Sequence, residues 1–91
     1  MEFNVLATRQ FGNKLVVIYD WMNFPFAGPV RNLYAYDAEG GRAWIAEARR
    51  LGDFYTDFVG DGTLLQAATF DCFCCTLDPE TGKIIRSELT K

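Results

Sequence analysis

The sequence predicts an all-β protein, an antiparallel meander of about seven strands that forms a small sandwich or a partly closed barrel. Two observations lead to this fold class. Short runs rich in β-branched and aromatic residues follow one another along the chain, and turn signals of Gly, Asn, Asp and Pro separate them. The length of 91 residues fits one domain, residues 1–91, in which eight Phe, four Tyr and two Trp supply much of the buried area.

The seven strands are expected at residues 3–9, 14–20, 31–36, 42–47, 62–70, 73–77 and 83–89. Residues 46–52 have a helix-forming composition that ends on Gly, which predicts one short helix there. Residues 53–59 fit either a strand or a helix, because Phe54 and Phe58 fall on one side at both periods.

An internal repeat organises this pattern. Residues 33–47 and 74–88 align without gaps, which matches Asp37 with Asp78 and Gly41 with Gly82. The alignment predicts two related three-strand units preceded by an N-terminal strand. In each turn, we expect the Asp side chain to accept hydrogen bonds from nearby backbone amides, and the matched Gly to adopt a positive φ.

The composition argues against catalysis. The chain has no His, and His is the commonest general base and metal ligand. The three cysteines, Cys72, Cys74 and Cys75, are one short of a four-thiolate zinc site, so we expect them to pack as small apolar residues. The sequence therefore predicts no enzyme activity, no metal and no cofactor. We also expect a cytoplasmic protein without membrane contact, because no apolar run approaches the length of a membrane span.

The charge distribution suggests a binding surface. The net charge is −3, yet residues 53–80 contain six acidic residues and no Lys or Arg. Such a segment repels nucleic acid and attracts a basic protein, which makes Asp53, Asp57, Asp61 and Asp71 candidate partner-binding residues. The alternative is that these carboxylates are solvated turn residues.

The loop at residues 21–29 is a second candidate contact. It contains two prolines and several large apolar side chains, which either fold back as a lid over the sheet or anchor a partner. Phe24 and Phe26 are the candidate anchors. Both faces of residues 15–19 and 33–36 are apolar, so a curled sheet or a second copy in a homodimer is expected to cover them.

Two resemblances add to these predictions. Residues 77–85, Leu-Asp-Pro-Glu-Thr-Gly-Lys-Ile-Ile, and more weakly residues 34–44, resemble the hairpin of quinoprotein-type β-propeller repeats, although two such units cannot close a propeller. The length, the Asp-x-x-Thr-Gly hairpin and the ending Leu89-Thr90-Lys91 are similar to small bacterial toxin-immunity proteins. That resemblance implies a non-enzymatic protein that blocks the active site of a secreted bacterial toxin with its acidic surface. The alternative function is a self-associating structural β-module.

Overall fold

The computed structural model describes residues 3–25 and 27–90. Within them, eight strands and one short 3-10 helix follow in chain order. The strands are β1 (Val5–Phe11), β2 (Lys14–Tyr19), β3 (Leu33–Tyr36), β4 (Arg42–Ile45), β5 (Tyr55–Val59), β6 (Gln66–Thr69), β7 (Phe73–Leu77) and β8 (Ile84–Leu89), and the 3-10 helix (Trp21–Asn23) follows β2.

The strands form two antiparallel sheets of four strands each, in the orders β1-β2-β3-β4 and β5-β6-β7-β8. Every neighbouring pair is also consecutive in the chain, so each sheet is a simple meander. The all-β class and a strand in each of the seven expected segments are confirmed. The eighth strand, β5, comes from residues 53–59, which the apolar pattern left open between strand and helix. In the described part of the chain the sheets do not close into a barrel.

Two details of the predicted layout are wrong. The repeating unit has four strands, because β1 and β5 each begin a sheet of their own. The short helix near residues 46–52 is absent from the structure. Ala46 is fully buried in the core and its amide donates to the Leu33 carbonyl at 2.8 Å, which continues the β4 ladder past Ile45 and keeps the chain extended where a helix would begin.

One hydrophobic core lies between the sheets, and both contribute side chains to it. Its fully buried members include Ile18 and Leu33 from the first sheet and Tyr55, Ala67 and Cys75 from the second. Cys75 therefore packs as a small apolar residue, as the sequence predicted, whereas Cys72 and Cys74 are only half-buried and do not belong to the core. Burial raises the pKa of the Cys75 thiol to about 11, so at neutral pH the group is a thiol rather than a reactive thiolate.

A buried amide joins the two sheets at one end. Asn32 is fully buried, and its Nδ2 donates to the carbonyl oxygens of Tyr19 and Tyr55, each at 2.8 Å. Its Oδ1 accepts from the Tyr55 amide at 3.0 Å. Because Tyr19 ends β2 and Tyr55 begins β5, one side chain satisfies backbone groups in both sheets.

The β7–β8 turn packs against the first sheet at Trp44. The indole Nε1 donates to the Pro79 carbonyl at 2.9 Å, and a Cβ placed on Gly82 would lie 2.4 Å from Trp44 Cε3. The Glu47 amide also donates to the Gly82 carbonyl at 2.9 Å. The turn therefore closes one side of the core.

The two repeat turns use their Asp residues as expected, but the matched glycines differ. Asp37 Oδ1 accepts from the amides of Glu39 and Gly41, and Asp78 Oδ1 accepts from the Glu80 amide. A positive φ occurs at Gly82 in the second turn, but at Gly40 rather than Gly41 in the first turn. The prediction that the aligned residues Gly41 and Gly82 both adopt a positive φ is therefore wrong for Gly41. The reason is length, since the Asp37 amide bonds the carbonyl four residues on and the Asp78 amide bonds the carbonyl five residues on.

Candidate functional site

Three aromatic rings from three separate loops stack at the end of the molecule where β2 and β6 finish and β5 begins. The Trp21 and Phe54 ring centroids lie 4.5 Å apart with planes 16° from parallel, and those of Phe54 and Phe70 lie 5.0 Å apart at 24°. The central ring, Phe54, is buried, whereas the outer rings are more accessible: Trp21 is half-buried and Phe70 is 62% exposed. We call Trp21, Phe54 and Phe70 the aromatic surface.

The 3-10 helix positions the first ring. The Asp20 carboxylate accepts from the Met22 amide at 2.9 Å, and the Phe24 amide donates to the Trp21 carbonyl at 3.0 Å. These bonds hold Trp21 inward over Phe54 and leave Met22, its neighbour in the chain, 73% exposed. Leu51, in the turn before Phe54, is also mostly exposed.

A partly buried ion-pair network joins the loops that carry the other two rings. Arg49 Nε lies 2.5 Å from Asp53 Oδ2, and Arg49 Nη2 lies 2.8 Å from Asp71 Oδ2. The guanidinium carbon of Arg49 lies 3.8 Å from the centroid of the Phe73 ring, which is a cation–π contact. Arg50 adds a longer contact of 3.5 Å to Asp71. Two acidic side chains are thereby matched by two basic ones.

Asp53 links the backbones that carry Phe54 and Phe70. Its Oδ1 accepts from the Phe54 amide at 2.9 Å and from the Asp71 amide at 3.0 Å. Burial acts to raise the pKa of this carboxyl, but the hydrogen bonds from Arg49, Thr69 and the two amides outweigh burial and lower it. Asp53 is therefore a buried carboxylate that orders the loops beneath the aromatic surface.

The four candidate carboxylates do not form one surface. Asp53 is 1% exposed, so it cannot touch a partner in this conformation, and half-buried Asp71 is ion-paired at the same end of the molecule. Asp57 and Asp61 are exposed, and neither forms an ion pair within the described part of the chain. Asp61 follows the far end of the five-residue strand β5, roughly 16 Å along it.

The exposed carboxylates also bind their own backbone. Asp57 Oδ1 accepts from the Phe58 amide at 2.8 Å. Asp61 Oδ1 accepts from the amide and the hydroxyl of Thr63, at 3.0 Å and 2.8 Å, and these bonds lower its pKa. Asp61 thus shapes the β5–β6 turn and keeps its charge in solvent.

Phe24 packs on the outer face of the first sheet. Its ring stacks on Phe3 with centroids 4.5 Å apart, and Phe3 lies edge-on to Tyr19 and Tyr34. Phe24 therefore contributes to a lid over the sheet, which is one of the two alternatives that the sequence left open. Together with Phe3, its ring covers the apolar outer face of β2 and β3. The other candidate anchor, Phe26, lies outside the described residues.

A cleft of about 420 Å³ lies between the end of β4 and the β7–β8 turn, where Arg31, Glu47 and Lys83 line it. Arg31 Nε and Nη2 donate to the carbonyls of Ala46 and Ile45, and Glu47 Oε1 accepts from the Ile84 amide. Two of the charged side chains that line the cleft, Arg31 and Glu47, are thus engaged in hydrogen bonds with backbone groups. Among the described residues, His, Cys, Asp and Glu side chains form no group of three or more that could hold a metal ion.

Sequence reasoning missed the aromatic surface because its rings are far apart in the chain. Trp21 was visible as a loop aromatic, but Phe70 fell at the end of an expected strand and Arg49 in the expected helix. The available signal was the Phe70-Asp71 pair at a strand end, where a large ring meets a turn residue.

Together, the fold and this surface define a small all-β domain of two four-stranded antiparallel sheets whose loops present stacked rings. Among the described residues, no helix has the length and apolar character to cross a membrane. The chain belongs to the family DUF7957, a domain of unknown function, which it matches over residues 2–89. No curated protein and no solved structure matches the chain. The resemblances to propeller repeats and to immunity proteins stay predictions.

Proposed function

We propose that this chain is a non-enzymatic protein-binding domain whose contact is the aromatic surface. The observation that carries the proposal is that the Phe70 side chain is both fixed in position and largely exposed. Its ring is stacked on Phe54 and so held in place, yet most of it faces solvent. A large ring held rigidly at a surface loses little conformational entropy on binding, which is how aromatic anchors act at protein interfaces.

The composition around Phe70 supports this function. Exposed Met22 and Leu51 occupy the loops beside the stack, and Arg50 is the exposed charged group closest to them in the chain. Trp, Phe, Met and Arg are the residue types enriched at protein interfaces. Because the charges of Arg49 and Arg50 balance those of Asp53 and Asp71, we expect the partner to offer an apolar pocket rather than a basic cleft.

Toxin immunity is the specific role that the sequence resemblance adds. In that role the partner is a secreted bacterial toxin domain, and the protein acts in the cytoplasm. Occlusion of a basic cleft then depends on Asp57 and Asp61, the two candidate carboxylates that are exposed and unpaired within the described residues. Binding through the aromatic surface and binding through these carboxylates therefore predict different effects of substitution on the affinity for the same partner.

The test begins with capture of partners by the tagged chain in its own host, followed by calorimetric titration of the purified partner. We expect Phe70→Ala to raise the Kd by about 30-fold, since an anchor residue contributes about 2 kcal/mol. Leu64→Ala is the matched control, because Leu64 is another exposed apolar residue but sits in the β5–β6 turn. An unchanged Kd for Phe70→Ala, with binding lost in the Asp57→Asn, Asp61→Asn double variant, would replace the aromatic surface by the acidic one.

A further inference from the structure

The last strand, β8, is an edge that solvent reaches on three sides. It is the end of the second sheet, and five of its six residues are exposed. Two of them are large and apolar, Ile85 at 65% and Leu89 at 59% exposure. An exposed strand of this length is a template for pairing with another strand.

The direction of its backbone groups follows from one hydrogen bond. The Thr90 amide donates to the Cys72 carbonyl at 2.8 Å, so these two residues form a hydrogen-bonded pair. Antiparallel pairs alternate between bonded and non-bonded, and the next pairs along the register are Phe73 with Leu89, then Cys74 with Glu88. The amides and carbonyls of Ser87 and Leu89 therefore point away from β7, toward the open side.

The sequence around Ser87 complements itself. Residues 85–89 read Ile-Arg-Ser-Glu-Leu. When two copies pair antiparallel about an axis at Ser87, Arg86 lies opposite Glu88 of the second copy. Ile85 is the extra residue of a β-bulge between the pairs Thr76–Arg86 and Leu77–Ile84, so it lies outside this regular register. Opposite charges that face each other across two strands stabilise antiparallel sheets. In the single chain, Arg86 Nε already lies 3.3 Å from Glu88 Oε1, so both groups lie on one face of the strand.

The other sheet edges are less available. The β1 edge lies beside β5, where Arg9 Nη1 donates to the Val59 carbonyl at 2.8 Å. The β4 edge has only four residues, and just beyond it the Glu47 amide is bonded to the Gly82 carbonyl. Among the strands that the structure describes, β8 is the edge that combines six residues of length with backbone groups directed toward solvent.

We propose that two copies of this chain associate through β8, antiparallel about a two-fold axis at Ser87, to form one continuous eight-stranded sheet. The Ser87 residues of the two copies exchange backbone hydrogen bonds, and Arg86 and Glu88 form two equivalent ion pairs across the axis. The contact runs along β8, and none of the three rings of the aromatic surface belongs to that strand.

The test is the solution mass of the purified full chain, measured by sedimentation velocity over a dilution series. We expect a monomer–dimer equilibrium in the wild type. Ser87→Pro removes the outward amide without touching a bond to β7, and it should raise the dimer dissociation constant by at least about tenfold. Ser87→Ala keeps the amide and should behave as the wild type, and circular dichroism of both variants checks their folding.

A charge exchange makes the register testable without proline. Glu88→Arg places like charges across the axis and should yield monomer, whereas the double variant Arg86→Glu, Glu88→Arg restores opposite charges and should restore the dimer. A wild type that stays monomeric at every concentration overturns the proposal. So does a dimer that Ser87→Pro and Glu88→Arg leave intact, because its interface would then lie elsewhere.

Discussion

Replacing Gly82 by Ala perturbs the β7–β8 turn in two ways at once. Gly82 has φ +76°, a left-handed conformation that costs an Ala residue about 1–2 kcal/mol. The new Cβ would also lie 2.4 Å and 2.7 Å from Trp44 Cε3 and Cδ2, distances that require the indole or the turn to shift. Because Trp44 is buried and bonded to Pro79, the shift disturbs the core.

The expected loss is the sum of these two effects. Overpacking a core by one methyl group costs about 1–3 kcal/mol, so Gly82→Ala should lower the free energy of unfolding by roughly 2–5 kcal/mol. A domain of 91 residues has about 5–14 kcal/mol of stability in total, so this loss is a large fraction of the free energy of unfolding and is readily measured.

Gly40→Ala provides the matched control. Gly40 occupies the equivalent turn of the first sheet with φ +86°, and a Cβ there would have no atom within 4 Å. It should therefore show the backbone cost alone. Urea denaturation followed by tryptophan fluorescence measures both, and we expect Gly82→Ala to lose about 1–3 kcal/mol more than Gly40→Ala. Equal losses in the two variants would refute the role of the Trp44 contact.

Two further predictions concern buried polar groups. Asn32→Leu leaves the Tyr55 amide and the carbonyls of Tyr19 and Tyr55 without their partner, and should cost about 3 kcal/mol or more in urea denaturation; a loss below about 1 kcal/mol would contradict the bridging role. The pKa of Asp53 is lowered in the folded state, so its contribution to stability is present above the unfolded pKa of about 4 and is lost as pH falls through the folded pKa. Asp53→Asn should be less stable at pH 7, because Arg49 then lacks a buried countercharge, and its stability should fall less steeply than that of the wild type on acidification; parallel pH curves would contradict this.

The local pattern of the sequence was sufficient for the strands and turns. Alternating β-branched and aromatic runs mark strands through side-chain size and backbone preference, which are properties of neighbouring residues. The Asp37 and Asp78 turns were predictable for the same reason, since an Asp side chain reaches amides only two to four residues away.

The site depended on contacts that no local pattern encodes. Arg49 had helix-forming neighbours, but its guanidinium pairs with Asp53 and Asp71 and lies against Phe73, so tertiary contacts outweighed helix propensity. The acidic segment looked continuous along the chain, yet folding buries Asp53 and places Asp61 at the opposite end of β5.

The amino-acid order alone determined that this chain folds as antiparallel β-structure and where its turns fall. Only the tertiary structure decided which rings stack, which charges cancel, and which strand edge stays open. The physical reason is distance: strand and turn formation depend on residues within a few positions, whereas burial and ion pairing depend on which distant segments the folded core brings together.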